Sequence, residues 1–353
     1  MTTAFTVVHV TESFASGTAA AIRDFARNYP SAEHRLVYAR RAEASVSPAE
    51  FVGFAGVAEL PDGHVARLRF LRRYARGLRG PVVIHAHSSK GGVYARVALR
   101  RSARRPIVYS PHCYAFERRD VGTPVRAAFR AAEWALSLNT SGFGVCSPRE
   151  AALSRWPLAR TRVVTVPNVA GPCTVPSGTR SAPTQGLCVV GNGRLGPQKD
   201  PGFFADAVAH ARSTHPDLRA VWIGDGDAEY VRYLTDRQIE VTGWLPRSQA
   251  LAELARGDVY LHTAVWEGLP ISILEADAAG LPVVARARPY LEGLRLPLTV
   301  AAPSQFADVL TSLGTASARA AARDATRVAF ADNCDGSQQV ALKELYGPYA
   351  GAR

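Results

Sequence analysis

Apolar runs of four to six residues alternate with amphipathic stretches of 10–16 residues along almost the whole chain. Strands joined through helices pair in parallel, so this alternation predicts an α/β architecture of repeated βα units. In the first half Thr6–Val10, Arg35–Ala39, Val82–His85, Ile107–Ser110, Phe143–Cys146 and Arg162–Val166 read as strands. Gly17–Asn28, His64–Arg79, Lys90–Arg101 and Val125–Asn139 read as helices, with a short one after Ser147-Pro148. The stretch Pro172–Gly186 is rich in Pro, Gly, Ser and Thr and has no period, the composition of a linker. Beyond it the alternation restarts, with strands at Leu187–Val190, Ala220–Ile223, Glu240–Thr242, Val259–His262 and Pro282–Ala285. Helices Phe203–Thr214, Ala228–Asp236, Gln249–Arg256 and Ile271–Ala279 fall between them, and two more precede the tail.

A chain of 353 residues is long enough for two cores, and 47% hydrophobic with 20% charged residues is globular composition. The expected organisation is a first domain over 1–172, a linker over 173–186, a second domain over 187–332, and a C-terminal helix over 333–353 that returns to the first domain. Two open parallel sheets imply ligands at the carboxyl ends of their strands, in a cleft between domains. No apolar run approaches the roughly 18–20 residues of a membrane span. Met1–Val10 has no basic stretch before its apolar run, so a cytoplasmic protein is expected. The cysteines Cys113, Cys146, Cys173, Cys188 and Cys334 show no Cys-x-x-Cys spacing, which argues against a disulfide frame or a zinc site and for small buried hydrophobes.

The net charge of +12 is one-sided. Residues 1–180 carry 26 Lys+Arg against 11 Asp+Glu, whereas the rest carry 16 against 19. A basic first half fits an anionic partner such as a phospholipid surface or a lipid phosphate, and equally fits codon bias, since 39 of the 42 basic residues are Arg. Nucleic acid is not indicated, because the basic residues are not interleaved with aromatics.

Gly191-Asn-Gly193-Arg-Leu-Gly196 follows an apolar strand and matches G-x-G-x-x-G. A dinucleotide site needs a helix to open at once, and Pro197 and Asp200-Pro201 delay it. Arg194 and Lys199, five residues apart at a strand's carboxyl end, suit two cations gripping a diphosphate. A solvated loop is the plainer alternative. In Val265-Trp-Glu267-Gly-Leu-Pro270-Ile-Ser-Ile-Leu-Glu275, Pro270 is placed for a first helical turn, and Gly280-Leu-Pro282 closes the helix. The amides of Gly268, Leu269, Ile271 and Ser272 then gather at a helix N-terminus, which attracts phosphate. Glu267 and Glu275 would repel phosphate and therefore suit neutral hydroxyls elsewhere on the same ligand. The bland alternative makes them a helix-entry charge and a solvated helix residue.

These residues resemble a known family. The Glu267-x7-Glu275 spacing within EGLPISILEADAAGLPVVA, preceded by VGNGRLGPQKDP and WIGDGD, is similar to the nucleotide-sugar domain of retaining glycosyltransferase family 4. HAHSSKGG, VYSPHCYAF, CSPREAA and VPN add family-like motifs, in family order, across the first half. The resemblance implies the GT-B fold, two Rossmann-like domains facing each other across a cleft. It implies Arg194 and Lys199 on the donor diphosphate, Glu267 beside the donor sugar and Glu275 on the ribose hydroxyls. It sets Gly17, after Ser16, near phosphate and acceptor, and turns His112 toward the donor sugar. Trp244 is a candidate for the base pocket, and Ser16, Ser88 and Lys90 are acceptor-side candidates, while His85 and His87 are read as structural.

The activity so implied is transfer of a sugar from a UDP- or GDP-sugar to a saccharide or lipid-linked acceptor with retention, in polysaccharide or glycolipid synthesis. No cofactor or metal is expected to be required. Asp225-Gly-Asp227 reads as a turn rather than a metal motif. Peripheral contact with an anionic inner membrane face is the expected use of the basic half. The alternatives are a sugar-nucleotide epimerase of the same fold, which would consume no acceptor, and a non-catalytic saccharide-binding protein.

Overall fold

The computed structural model describes residues 5–40, 48–171 and 186–350. The expected linker lies outside them except for Gly186, as does Cys173. The chain forms two compact units, Met1–Val169 with Asn333–Arg353, and Ala170–Asp332.

The first unit contains β1 (Thr6–Thr11), α1 (Ser16–Asn28), β2 (Glu33–Tyr38), β3 (Gly56–Glu59), α2 (His64–Gly77), β4 (Val82–His87) and α3 (Ser89–Ala98). It continues with β5 (Ile107–Ser110), α4 (Thr123–Ser137), β6 (Gly142–Val145), α5 (Pro148–Leu153) and β7 (Arg162–Thr165). The second contains β8 (Cys188–Asn192), α6 (Pro201–Arg212), β9 (Arg219–Ile223), α7 (Ala228–Thr235), β10 (Glu240–Val241), α8 (Arg247–Ala255) and β11 (Val259–His262). It ends with α9 (Ile271–Ala278), β12 (Val283–Arg286), β13 (Leu298–Val300), α10 (Gln305–Ser312) and α11 (Ala316–Ala329). The last helix, α12 (Asp335–Ala350), belongs to the first unit.

Sheet order is β3-β2-β1-β4-β5-β6-β7 in the first unit and β10-β9-β8-β11-β12-β13 in the second. Both are parallel throughout their described ladders. The chain reverses direction beside β1 and β8, so the loops after these strands sit at a switch point, where ligands of open α/β sheets bind. Helices cover both faces, which is why β4 is buried at all six positions although it carries two histidines. One face of the first sheet lies under α1 and α12: Phe25 on α1, Tyr29 just after it, and Leu342, Leu345 and Tyr346 on α12 share a buried cluster with Val7, Val83 and Val108. Gln338 and Asn333 fasten the start of α12 to the carbonyls of Pro167 and Asn168 at 2.8 and 3.0 Å.

The strands β3 and β13 were not anticipated from the sequence. Both are short edge strands, and one side of each carries half-exposed residues, so neither presents an apolar run. Pro270 stands at the N-cap of α9, one position before the first helical turn. The cysteines depart from the small-hydrophobe expectation: Cys146 is buried, Cys113 and Cys188 are half-buried, and Cys334 is exposed just before α12. Among the described residues no helix is long and apolar enough to cross a membrane.

Candidate functional site

Two loops at the carboxyl edge of the second sheet, together with the helix α9 that follows one of them, carry most of the sequence candidates. After β8, the loop 193–200 runs without helical structure until Pro201 opens α6, and Asp200 caps that helix by accepting from the Phe203 amide at 3.1 Å. The delay is what distinguishes this loop from a dinucleotide fingerprint. After β11, the segment 263–270 leads into α9. The two are stitched together: Val265 N–H donates to Gln198 O at 2.8 Å, Gln198 Nε2 to Trp266 O at 3.0 Å, and Thr263 Oγ1 to Lys199 O at 2.6 Å. Arg286 on β12 adds a 2.6 Å ion pair to Asp200.

This stitching brings Lys199 Nζ to 2.7 Å from Glu267 Oε1, with both side chains more than four-fifths buried. The family resemblance sets Lys199 on the donor diphosphate and Glu267 beside the donor sugar; here the two side chains touch. Arg194 lies exposed in the same loop, between Gly193 and the buried Leu195. Gly268 and Leu269 are buried at the approach to α9, and Ile271 and Ser272 form its first turn, where helical N–H groups point outward. Glu275, in the second turn, is held by Arg247 at 2.6 Å, and the same guanidinium nitrogen donates to Ala170 O at 2.9 Å. It is therefore not the solvated helix residue of the bland reading.

Asp225-Gly226-Asp227 folds back on this loop. Leu195 N–H donates to Asp225 O at 2.8 Å and Asp227 N–H to Leu195 O at 3.1 Å, while Asp225 Oδ1 accepts from the Gly226 amide at 2.8 Å. Trp244 follows Gly243, which bridges Gly224, and is exposed.

In the first unit, Gly17 stands exposed in the first turn of α1; Ser16 opens that helix, and its side chain lies outside the described set. Ser88 precedes α3 with φ +58, and exposed Lys90 pairs with Glu12 at 3.2 Å. His112 and Cys113 follow β5 with φ +51 and +90, two consecutive left-handed residues without a glycine. Such backbone persists only where the surroundings hold it. The clamp is Glu150, fully buried on α5, whose carboxylate accepts from the Cys113 amide at 2.6 Å and the Cys146 amide at 3.0 Å. Burial pushes this carboxyl group's pKa up, and the two amides oppose that shift.

Sequence reasoning missed Glu150 and Arg247. Ser147-Pro-Arg-Glu150 has capping-box spacing, and Ser147 Oγ does accept from the Glu150 amide at 3.2 Å. That signal was available, although the carboxylate's reach to Cys113 was not.

Among the described residues, His9, His85 and His87 are a group whose ligand atoms lie within 4.8 Å of one another, close enough to share an ion. Each of their ring nitrogens also has a hydrogen-bonding partner in the protein.

A two-unit fold of parallel sheets, with cations, carboxylates and a helix N-terminus at one carboxyl edge of the second, is a doubly wound α/β architecture. The family models agree. Residues 16–169 match the glycosyl transferase 4-like domain, and residues 185–314 match the glycosyl transferases group 1 domain. The chain belongs to the group 1 glycosyltransferases of the family 4 type, and its architecture is the GT-B fold. It is 28% identical over 224 residues to the UDP-Gal:alpha-D-GlcNAc-diphosphoundecaprenol alpha-1,3-galactosyltransferase of Escherichia coli, covering 57% of either chain. It is 27% identical over 143 residues to the gpi3 subunit of phosphatidylinositol N-acetylglucosaminyltransferase from Schizosaccharomyces pombe, covering 39% of this chain and 31% of that one. The chain thus spans from about a third to somewhat over half the length of these curated relatives.

Among solved structures, Anabaena HepE in complex with UDP and glucose superposes with a TM-score of 0.73 at 16% identity, over 96% of this chain and 98% of that one. WaaG, a glycosyltransferase involved in lipopolysaccharide biosynthesis, gives 0.70 at 15% identity over 97% and 100%. At these identities the likeness is one of fold.

Proposed function

We propose that this chain transfers a glycosyl group from a nucleoside-diphosphate sugar to an acceptor hydroxyl, with retention at the anomeric carbon. The observation that carries the proposal is the meeting of Lys199 and Glu267 beside the N-terminus of α9, at the carboxyl edge of the second sheet. In this reading Arg194 and Lys199 take the diphosphate, and the amides of Gly268 and Leu269 before α9 and of Ile271 and Ser272 in its first turn supply further donors. Lys199 then exchanges Glu267 for phosphate oxygens as the donor binds, which frees the carboxylate to accept from sugar hydroxyls. Glu275, oriented by Arg247, receives the ribose hydroxyls, and Trp244 borders the base. His112 is the first unit's contact to the donor sugar, with Gly17, Ser16, Ser88 and Lys90 on the phosphate and acceptor side. Charge building on the leaving nucleotide is stabilised by fixed cations and amides, so the residues act by position and electrostatics.

UDP is the nucleotide we favour, because HepE binds UDP and the Escherichia coli relative is named for UDP-Gal. A lipid-linked acceptor is favoured by the diphosphoundecaprenol substrate in that relative's name and by the basic first half of this chain, which suits an anionic membrane face.

The test is thermal unfolding of wild type and Lys199→Ala with UDP, GDP, ADP and TDP, followed by product analysis with the sugar nucleotide that stabilises. A ligand at about 100 times its Kd adds roughly 2.7 kcal/mol, a shift of several degrees. One nucleotide is expected to stabilise wild type and not the variant, and the product to keep the donor's anomeric configuration. Stabilisation by none of the four would sink the transferase reading. An isomerised sugar nucleotide formed without acceptor would replace it with an epimerase.

A further inference from the structure

We infer that the buried carbonyl of Tyr29 sets the tautomer of His112 through a chain of four imidazoles, leaving His112 with its proton on Nε2 and its Nδ1 as a pure acceptor. The first sheet builds the chain. His34 on β2, His9 on β1 and His87 on β4 lie on three adjacent strands, and His112 follows the end of the next, β5. Register places His34 beside Val7, His9 beside His85, and His87 beside Thr11 and Ser110. Strand side chains alternate with period two, so all of these face one side of the sheet, and each step across a strand also climbs toward the carboxyl edge.

The links are continuous. His34 Nε2 lies 2.8 Å from Tyr29 O, His34 Nδ1 2.9 Å from His9 Nε2, His9 Nδ1 2.9 Å from His87 Nε2, and His87 Nδ1 3.0 Å from His112 Nε2. At every imidazole–imidazole link the ring centroids are 5.2 Å apart and the planes within 28° of each other, the geometry of rings joined end-on rather than stacked.

Direction follows from proton counting. A carbonyl only accepts, so His34 must carry its proton on Nε2. A neutral imidazole has one N–H, so His34 Nδ1 accepts, and His9 must donate from Nε2. The same step repeats at His87 and again at His112. The one ring nitrogen that the links leave over is His112 Nδ1. Each ring is neutral near pH 7, because burial pushes its pKa down, for His112 to about 4. His85, beside the chain, obeys the same logic: Ser110 Oγ donates to Gly144 O at 2.5 Å, so it accepts from His85 Nε2 at 2.8 Å, and Tyr346 donates to His85 Nδ1 at 2.6 Å.

The consequence for function rests on the reading of His112 as the donor-sugar contact. There it accepts a hydrogen bond from a neutral sugar hydroxyl and delivers no proton. His9, His34 and His87 are positioning residues, acting on the sugar only through His112.

The tautomers are read by long-range ¹H–¹⁵N correlation spectra of the full chain labelled at histidine, at pH 7 and without any donor, so the result is independent of whether the protein transfers sugar. His112 is assigned by the signal lost in His112→Gln. Wild type is expected to show the Nε2–H pattern at His112. His34→Leu removes the acceptor that orients His9, and an Nδ1–H population should appear at His112. His34→Gln can still donate to Tyr29 and accept from His9, and should keep the wild-type pattern. An Nδ1–H or doubly protonated His112 in wild type overturns the inference. So does a His34→Leu protein that folds with His112 unchanged. Stoichiometric zinc in the purified protein with metal-shifted nitrogens at His9 and His87 overturns it too. Should His34→Leu not fold, the wild-type and His34→Gln spectra decide.

Discussion

Gly193 shows how one residue type fixes the geometry of the candidate site. Its φ is +126, and a Cβ there would sit 2.7 Å from Lys199 Cε, so the missing side chain is the space in which the lysine lies. Its carbonyl is meanwhile held by Trp222 Nε1 at 2.9 Å, which prevents the turn from shifting aside. Gly193→Ala is therefore expected to cost about 1–3 kcal/mol through backbone strain alone, and to displace Lys199 from Glu267. Urea unfolding would read the first effect and nucleotide titration the second. An alanine variant that binds nucleotide as wild type does would show that Lys199 is not positioned by this turn. Of these residues, Gly193, Lys199 and Glu267 were legible in the chain because punctuation by Gly and Pro marks the loops that carry them. Their contact was not, since it depends on β8 and β11 being neighbours, and strand order is settled by packing over the whole sheet. Glu150 failed to stand out for a related reason: its partner Cys113 is 37 residues away.

At the scale of elements, period and capping located most of the βα units, and the misses have physical causes. The edge strands β3 and β13 bury too little to leave an apolar signature, and the start of α8 at Arg247 follows Pro246 with no side-chain cap to mark it. The strand read from the sequence stops at His85, whereas β4 runs on to His87, and His9 and His34 join this pair only through register. The returning helix α12 could be placed at the end of the chain, whereas the polar contact it brings could not be read. Tyr346, fully buried on α12, donates to His85 Nδ1 at 2.6 Å and packs edge-on against Tyr29. Tyr346→Phe keeps the packing and leaves a buried acceptor without its donor, so a loss of about 1–3 kcal/mol is expected. Denaturant midpoints compared with Tyr349→Phe, whose hydroxyl donates to Ser141 O from a more exposed position, would measure it. Equal losses in the two variants would mean that burial at His85 adds nothing.

For the whole molecule, the histidines divide unequally between the units, and this predicts how acid dismantles the fold. Burial lowers the pKa of His9, His34, His85, His87 and His112 in the first unit, and of His262 in the second. Unfolded, each titrates near 6.5; folded, each stays neutral to lower pH, His112 to about 4. Between those limits the unfolded chain binds protons that the folded chain does not. Stability present above pH 6.5 is accordingly lost as pH falls, at up to about 1.4 kcal/mol per pH unit for each histidine. Five such groups against one make the first unit much the more acid-sensitive, in a range where ordinary carboxylates are still ionised. Hydrogen exchange at pH 7.5, 6.5 and 5.5 is expected to show β1 and β4 losing protection well before β8 and β11. The amides of α12 should follow β1 rather than the second unit that precedes them in the chain, because Tyr346, Gln338 and Asn333 tie that helix to the first. Parallel loss in both units would refute the histidine account. Protection of α12 that outlasts that of β1 would instead refute its role as part of the first unit's core.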